Sequence, residues 1–384
     1  MAPKLDMDNI RALKVLGKGA TGTVFLAHDI SSDPTARSPF ALKVVQKSSL
    51  PHRHKTADRR ARWEMSVLSG LEANPFLPSL LGSFEAHDLL GWALPFCPGG
   101  DLNALRYQQT DHAFSQSAIK FYLAEIVCAL DHLHSMRIVY RDLKPENVLV
   151  QSSGHVILTD FDLSKKLSVL EVPDPAGEIK QFKPKRTARM TRIFRYGAEG
   201  NTAKVSPETQ RKMSFACGER SDSFVGTEEY VSPEVVRGEA HAYGVDWWAL
   251  GVLAYEMTYG KTPFRGKNRK ETYRNILMKR PEFVGKRTAL MDLIERLLEK
   301  DPIKRLGYYR GAEEIKEHEF FNGLRWDLLT EVVRPPFVPS TDDGGSSTEN
   351  PTTFDIREYF QKMSSPPSMP SSPSHSLSSD DDLF

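Results

Sequence analysis

Cysteine is scarce in this chain. Cys97, Cys128 and Cys217 are the only three in 384 residues, and they lie far apart. That is too few and too dispersed for a disulfide framework or a zinc cluster, and it suits a reducing compartment. No apolar run approaches the ~18–20 residues of a membrane span, and Met1 to Asn9 lacks the apolar core of a secretory leader. Net charge is nearly absent as well. The balance of 51 Lys+Arg against 50 Asp+Glu leaves +1, so any electrostatic steering of a partner must be local. No internal repeat is found, which excludes a solenoid. These absences predict a soluble intracellular protein without a structural metal; the expectation adopted is a monomer, cytoplasmic and nuclear, with peripheral membrane contact open. What is present is ordinary globular composition, 40% hydrophobic and 26% charged, in a chain long enough for two lobes and a tail.

The most informative stretch is Tyr140-Arg141-Asp142-Leu143-Lys144-Pro145-Glu146-Asn147, which runs into Val148-Leu149-Val150. A turn containing Gly154 follows, then Val156-Ile157-Leu158-Thr159-Asp160-Phe161-Asp162. Apolar strand, glycine turn and apolar strand predict a β-hairpin with Asp142, Lys144, Asn147 and Asp160 at its lips. Such a group can hold Mg²⁺ through hard oxygen ligands and set a hydroxyl against a phosphate. The order Arg-Asp, Lys two residues on and Asn five after the Asp resembles the catalytic loop of protein kinases. Asp160-Phe161 resembles their metal-binding motif, with Asp162 where glycine is usual.

Upstream, Gly17-Lys18-Gly19-Ala20-Thr21-Gly22-Thr23-Val24 sits between two apolar strands. A dinucleotide-binding turn would open a helix. The β-branched and aromatic residues that follow instead predict a hairpin that covers phosphates with its backbone N–H groups. A plain tight hairpin is the alternative. In Phe40-Ala41-Leu42-Lys43-Val44-Val45 one lysine interrupts an apolar strand. It either faces solvent or needs an anionic partner. Glu64, on a helix expected over 56–71, is the candidate, and the pair would aim Lys43 at the α- and β-phosphates. Leu89 to Phe96 reads as a strand. Cys97-Pro98-Gly99-Gly100-Asp101 then marks a hinge, with Leu94 behind an adenine pocket and the backbones of Pro95 and Cys97 on the adenine edge. Asp101 faces the ribose, or caps the next helix, or both.

Residues 117–134 carry a strong 3.6-residue apolar period and predict a long buried helix. Its His132 and His134 are two apart and do not face each other, so metal binding is not expected there. From 166 to 222 the count is twelve basic and seven acidic residues, and Lys180 to Arg195 holds seven basic residues and no acid. This predicts an insertion whose charge either keeps a loop solvated or contacts acidic lipid or nuclear-import machinery. Asp246, beside Trp247 and Trp248, reads as a helix-start acid that accepts backbone N–H bonds from the catalytic loop. Arg305 reads as the partner of Glu234. Beyond residue 321 come an extended proline segment (335–339), an aromatic anchor (354–360), a Ser/Pro-rich linker (364–379) and a terminal Leu383-Phe384 after three aspartates.

Together these motifs stand in protein-kinase order over about 10–321. Tyr140-Arg141-Asp142, Cys97-Pro98-Gly99-Gly100-Asp101, Ser223-Phe224-Val225-Gly226-Thr227 and Asp301-Pro302 with Arg305-Leu306-Gly307 resemble the AGC group of Ser/Thr kinases. Asp162 and the basic insertion resemble its plant-specific AGC VIII subgroup, and within it the UNICORN-type kinases. The resemblance implies an α+β bilobal fold. A small antiparallel β-sheet lobe with one helix (10–96) would sit over a mainly helical lobe (97–321), with residues 1–9 before them and an AGC-type extension (322–384) after.

The resemblance also implies roles. ATP would lie among Leu16, the loop 17–24, Ala41, Lys43, Glu64, Leu94, Pro95, Cys97 and Asp101, and Asn147 and Asp160 would hold Mg²⁺. Asp142 would orient the substrate hydroxyl and accept its proton, Lys144 would stabilise the transferring phosphoryl group, and Thr227 would support Asp142. Ser223 matches the activation-loop phosphosite, where phosphate could pair with Arg141. Asp101, Glu146 and Glu256 match acids that select Arg or Lys upstream of the target, which implies protein substrates with basic Ser/Thr sites. Ser214 and Ser223 in this chain fit that preference. Asp381 stands where a Phe-x-x-Phe ending would have its first Phe, which puts tail docking of an upstream kinase in doubt. Two other readings stay open: a pseudokinase scaffold, for which Asp162 argues, and a nucleic-acid binder acting through the basic insertion. The insertion lacks a reading helix and interleaved aromatics, which counts against the latter.

Overall fold

A computed structural model describes residues 3–19, 22–31, 38–47, 55–86, 88–167, 228–331, 335–339 and 353–364. The chain forms two compact units, one of Met1–Ala61, Leu80–Phe96 and Asp342–Phe384, the other of Arg62–Ser79 and Cys97–Thr341.

The first unit is an antiparallel sheet in the order β1-β2-β3-β5-β4. Its strands are β1 (Ile10–Gly19), β2 (Gly22–Asp29), β3 (Phe40–Gln46), β4 (Gly82–Glu85) and β5 (Leu89–Pro95). Alternation puts Phe25, Ala27, Leu42 and Val44 on one buried face with Ile10 and Ala12. The aromatic anchor read from sequence closes that face. Phe354 pairs with Ala12 through two backbone bonds of 3.0 Å. The helix Ile356–Ser364 then buries Ile356 and Phe360 in the same core, and Tyr359 meets Phe25 edge to face at 5.1 Å.

Helix α1 (Lys55–Gly70) begins in the first unit and continues into the second. Within the second unit, Nε1 of Trp63 donates to the carbonyl of Ser164 at 2.8 Å. The remaining elements are α2 (Leu102–Tyr107), α3 (Gln116–Ser135), β6 (Ile138–Val139), β7 (Val148–Val150), β8 (Val156–Leu158), β9 (Lys165–Lys166), α4 (Pro233–Arg237), α5 (Gly244–Tyr259), α6 (Arg269–Met278), α7 (Ala289–Leu297) and α8 (Ala312–Lys316). Helix α3 is capped by the Ser115 hydroxyl on the N–H of Ala118 and buries the apolar stripe its sequence predicts. Helix α5 is buried nearly all round, as its uniformly apolar sequence requires.

The β7–β8 hairpin is pinned from both sides. Glu125 of α3 accepts the N–H of Val156 at 2.8 Å and pairs with Nδ1 of His155 at 2.5 Å. Gly154 has φ +86°, and a Cβ there would meet the carbonyl of Phe337 in the extended proline segment at 2.3 Å. Glycine is therefore required at this turn on both counts.

Candidate active site

The catalytic loop hangs from one buried carboxylate. Asp246, in the first turn of α5 and fully buried, accepts the N–H of Tyr140 at 2.9 Å and the N–H of Arg141 at 2.7 Å. His134 approaches it at 2.8 Å. An anion at a helix start is favoured by the helix dipole, and here it fixes two consecutive backbone groups. This is the contact the sequence predicts. Arg141 (φ 70°) and Asp160 (φ 59°) both hold left-handed backbone conformations. Residues other than glycine take them only where the surroundings enforce them. The Tyr140 hydroxyl, bonded to the Thr159 carbonyl, and the Thr159 N–H on the Asn147 carbonyl (3.0 Å) tie the two lips of the hairpin together.

Between the lips lies Asp142, 3% exposed. Its Oδ2 accepts from Nζ of Lys144 at 2.7 Å and from Nδ2 of Asn147 at 2.8 Å. Its Oδ1 is buried and has no hydrogen-bond partner among the described residues. A buried unpaired acceptor costs free energy, so it marks either a defect or a waiting donor. Burial pushes the Asp142 carboxyl above its usual range. Lys144 and Asn147 pull it back, and the charge of Asp160 adds to the rise.

The expected hydroxyl acceptor and the residues expected to hold Mg²⁺ thus come together. Asn147 has its Nδ2 committed to Asp142, so its amide oxygen and the Asp160 carboxylate are the atoms that could hold a metal. Two hard oxygens suit Mg²⁺, which is usually held by few protein ligands plus substrate phosphates. Among the described residues no group of three or more His, Cys, Asp or Glu is arranged to hold a metal. Asp162 replaces the usual glycine without strain, because the left-handed conformation in this segment falls on Asp160 and not on Asp162.

The nucleotide residues expected in the first unit fall in two rows across its sheet. Val24, Lys43 and Trp92 are register partners, and so are Ala41 and Leu94. Nζ of Lys43 lies 5.6 Å from the Trp92 ring centre. Of the loop glycines only Gly22 is demanded by packing. Its φ is +149° and a Cβ would meet the Val44 carbonyl at 2.6 Å, whereas nothing lies within 4 Å of a Cβ at Gly17. Leu16 and Lys18 belong to β1 and Thr23 to β2. Lys43 lies in the first unit and Glu64, 1% exposed on α1, in the second.

Comparison with known proteins decides the family. The protein kinase domain model matches residues 10–180 and 205–321. The serine/threonine-protein kinase UCN of Arabidopsis thaliana is 57% identical over 95% of this chain and 93% of its own length. UCNL of the same organism is 56% identical over 97% and 94%, and OXI1 is 43% identical over 94% and 86%. The chain belongs to the serine/threonine-protein kinases. The resemblance to plant AGC VIII kinases, the bilobal kinase fold and the assignment as an enzyme are therefore borne out.

The acids expected on the substrate side of this kinase gather in its second unit. Glu146 has its carboxyl raised by partial burial and by the charges of Glu256 and Asp101. Asp101 caps α2, with Oδ1 on the Ala104 N–H at 2.7 Å. Glu256 is already engaged, by Arg106 at 3.2 Å and by the Tyr230 hydroxyl at 2.5 Å. Sequence reasoning missed both of those partners. Arg305 grips Glu234 with two bonds, 2.7 and 2.9 Å, as expected. At the hinge Cys97 is buried, its carbonyl accepts the Gly100 N–H at 3.3 Å, and burial pushes its thiol up to about 12. His134 is hydrogen-bonded to Asp246. Ala20, Thr21, Ser214, Ser223, Thr227, the stretch 180–195 and the Leu383-Phe384 end lie outside the described residues.

Proposed function

We propose that this kinase transfers the γ-phosphoryl group of ATP, with Mg²⁺, to Ser or Thr hydroxyls that follow basic residues. The observation that carries this reading is the buried Oδ1 of Asp142, which has no partner among the described residues while Lys144 and Asn147 hold Oδ2. It is an acceptor placed for a hydroxyl donor such as a substrate Ser or Thr. Asp142 orients that hydroxyl and takes its proton, and its raised pKa brings it nearer to a working base. Lys144, already on the other carboxylate oxygen, neutralises charge as the phosphoryl group moves. Asn147 and Asp160 would hold the metal, which when bound supplies neutralisation of the phosphate oxygens.

Lys43 and Glu64 form the phosphate clamp in this reading, and the 17–24 loop covers the phosphates. The open space at Gly17 supports that assignment, since packing alone does not call for glycine there. Ala41 and Leu94 flank adenine, Pro95 and Cys97 offer it backbone groups, and Asp101 takes the ribose. Asp101, Glu146 and Glu256 provide the negative field for Arg or Lys upstream of the target. Thr227 supports Asp142. Ser223 and Ser214 are phosphorylated in this reading, by the chain itself or by an upstream kinase. The small lobe (10–96), large lobe (97–321) and extension (322–384) are part of it, as are a monomeric state, a cytoplasmic and nuclear location and an acidic-lipid or nuclear-import role for 180–195.

Phosphate transfer to a basic peptide, with Asp142→Asn as control, tests the proposal. An active wild type and an inert variant support it. A wild type that binds nucleotide but transfers nothing overturns it and leaves a scaffold. A peptide-library screen then tests the basic preference.

A further inference from the structure

One surface of the second unit stands apart in charge. Residues 261–287 hold ten Lys and Arg against two acids, Glu271 and Glu282, a local +8 in a chain whose total is +1. Some of this is compensated: Arg265 pairs with Glu229, Arg269 with Glu228, and Arg287 with Asp292. Lys261, Lys267, Lys270, Arg274, Lys279 and Arg280 have no ion pair among the described residues. Like charges at this density repel one another, so such a patch is costly without an anionic partner.

The placement of these side chains is regular. Helix α6 buries Thr272, Asn275 and Ile276. Its outer face therefore carries Lys270, Arg274 and Met278, each four residues from the last. Met278 and Val284 are each 77% exposed, unusual for large apolar side chains. Just beyond the helix, Lys261, Arg265, Lys279 and Arg280 line a cavity of about 320 Å³. That is near the lower end of the ~300–1,000 Å³ typical of small-ligand sites. Asn275, Thr262 and Tyr255 also line it, and one acid does, Glu282. The floor is rigid. Nδ2 of Asn275 donates to the Phe264 carbonyl at 3.1 Å, and the Tyr255 hydroxyl donates to the Glu282 carbonyl at 2.7 Å.

We propose that this face docks on an anionic membrane, seating a multiply phosphorylated lipid headgroup among Lys261, Arg265, Lys279 and Arg280 while Met278 and Val284 enter the acyl boundary. Charge complementarity selects an anion, and the cavity selects a compact, polyvalent one over a diffuse field. Exposed apolar side chains beside cations are the signature of a surface that lies in a lipid interface. The site is separate from the catalytic loop and does not depend on the proposed phosphoryl transfer.

The test is co-sedimentation of the full chain with phosphatidylcholine vesicles, with or without phosphatidylinositol bisphosphate. Parallel arms use Lys279→Glu/Arg280→Glu, Met278→Asp and a deletion of 180–195. The proposal expects binding only with the anionic lipid, weakened by added salt, and reduced at least about tenfold by the double charge reversal. Met278→Asp should weaken binding to vesicles but not binding to soluble inositol hexakisphosphate. Thermal melting and transfer to a short peptide should be unchanged in these variants, since all three side chains are exposed. Three results overturn it: vesicle binding unchanged by Lys279→Glu/Arg280→Glu, binding abolished by the 180–195 deletion alone, or binding to the soluble phosphate with none to vesicles. Retention on an acidic protein with no vesicle binding likewise overturns it in favour of a protein partner.

Discussion

Glu256, which the kinase resemblance implies as an acceptor for a basic substrate, is already paired with Arg106, Nη2 to Oε1 at 3.2 Å. Both side chains are largely buried, 5% and 12% exposed, and Tyr230 occupies the other oxygen. Much of the Glu256 charge is therefore already met inside the protein. Glu146 makes no ion pair among the described residues, although the charge of Lys144 reaches its carboxyl along with those of the other two acids.

The two acids should thus fail differently. Glu146→Gln should raise KM for a peptide with an upstream Arg about tenfold or more, through loss of a charge-assisted bond worth ~1.5–3 kcal/mol. Stability should be unchanged. Glu256→Gln leaves Arg106 buried without its counter-charge and should cost on the order of 3–5 kcal/mol in unfolding free energy. Peptide kinetics and urea unfolding on both variants check this. Equal KM effects with no loss of stability in Glu256→Gln would contradict it.

The loop glycines should separate packing from ligand. Gly22→Ala forces a Cβ against the Val44 carbonyl at a positive φ and should destabilise by roughly 1–3 kcal/mol. Gly17→Ala meets open space, so the melting temperature should hold while ATP affinity falls. Calorimetric melts and nucleotide titrations measure the two effects. A Gly17→Ala protein with unaltered ATP binding would remove that glycine from the phosphate cover.

How much of this was legible in the sequence follows from distance along the chain. Asp142, Lys144 and Asn147 lie within five residues, so the resemblance to a kinase catalytic loop could be read from one short stretch. Asp246 and the Arg305–Glu234 pair were readable because each sits beside a strong local marker. Arg106 and Tyr230 were not, because their link to Glu256 spans 150 and 26 residues and leaves no periodic trace. The Glu125–His155 pair was missed for the same reason. The anchor at 354–360 was visible from its aromatics, but its seat on Phe25 and Ala12 was not. The cationic face at 261–287 carried a signal in its local charge count, hidden by a total near zero.

Asp142→Asn should be inert yet at least as stable as the parent at neutral pH. A carboxyl raised in the folded state favours folding most when protonated. Its contribution is complete below the unfolded value of ~3.9 and is lost as pH rises through the folded value. Above that window the parent carries a buried charge that the amide lacks. Unfolding across pH should show the variant gaining on the parent as pH rises from about 4. A variant that loses ground over that range would mean the Lys144 and Asn147 contacts outweigh burial.

Lys300 gives the opposite sign. Its Nζ lies 3.7 Å from the Phe264 ring centre and 4.7 Å from that of Trp248, buried and without a hydrogen-bond partner among the described residues. Burial, reinforced by Arg305, pulls the amine down to about 7, while the two ring faces favour its cation and limit the fall. Between the folded value and the unfolded ~10.4, the unfolded chain binds a proton that the folded chain lacks, so stability gains with pH across that window. Lys300→Met removes the titrating group and keeps most of its volume. Urea midpoints taken at about pH 7 and about pH 9 should rise more in the parent than in Lys300→Met. Parallel midpoints would show that the aromatic faces hold Lys300 charged throughout, and would make it a cation–π strut between α5 and the loop that carries Arg305.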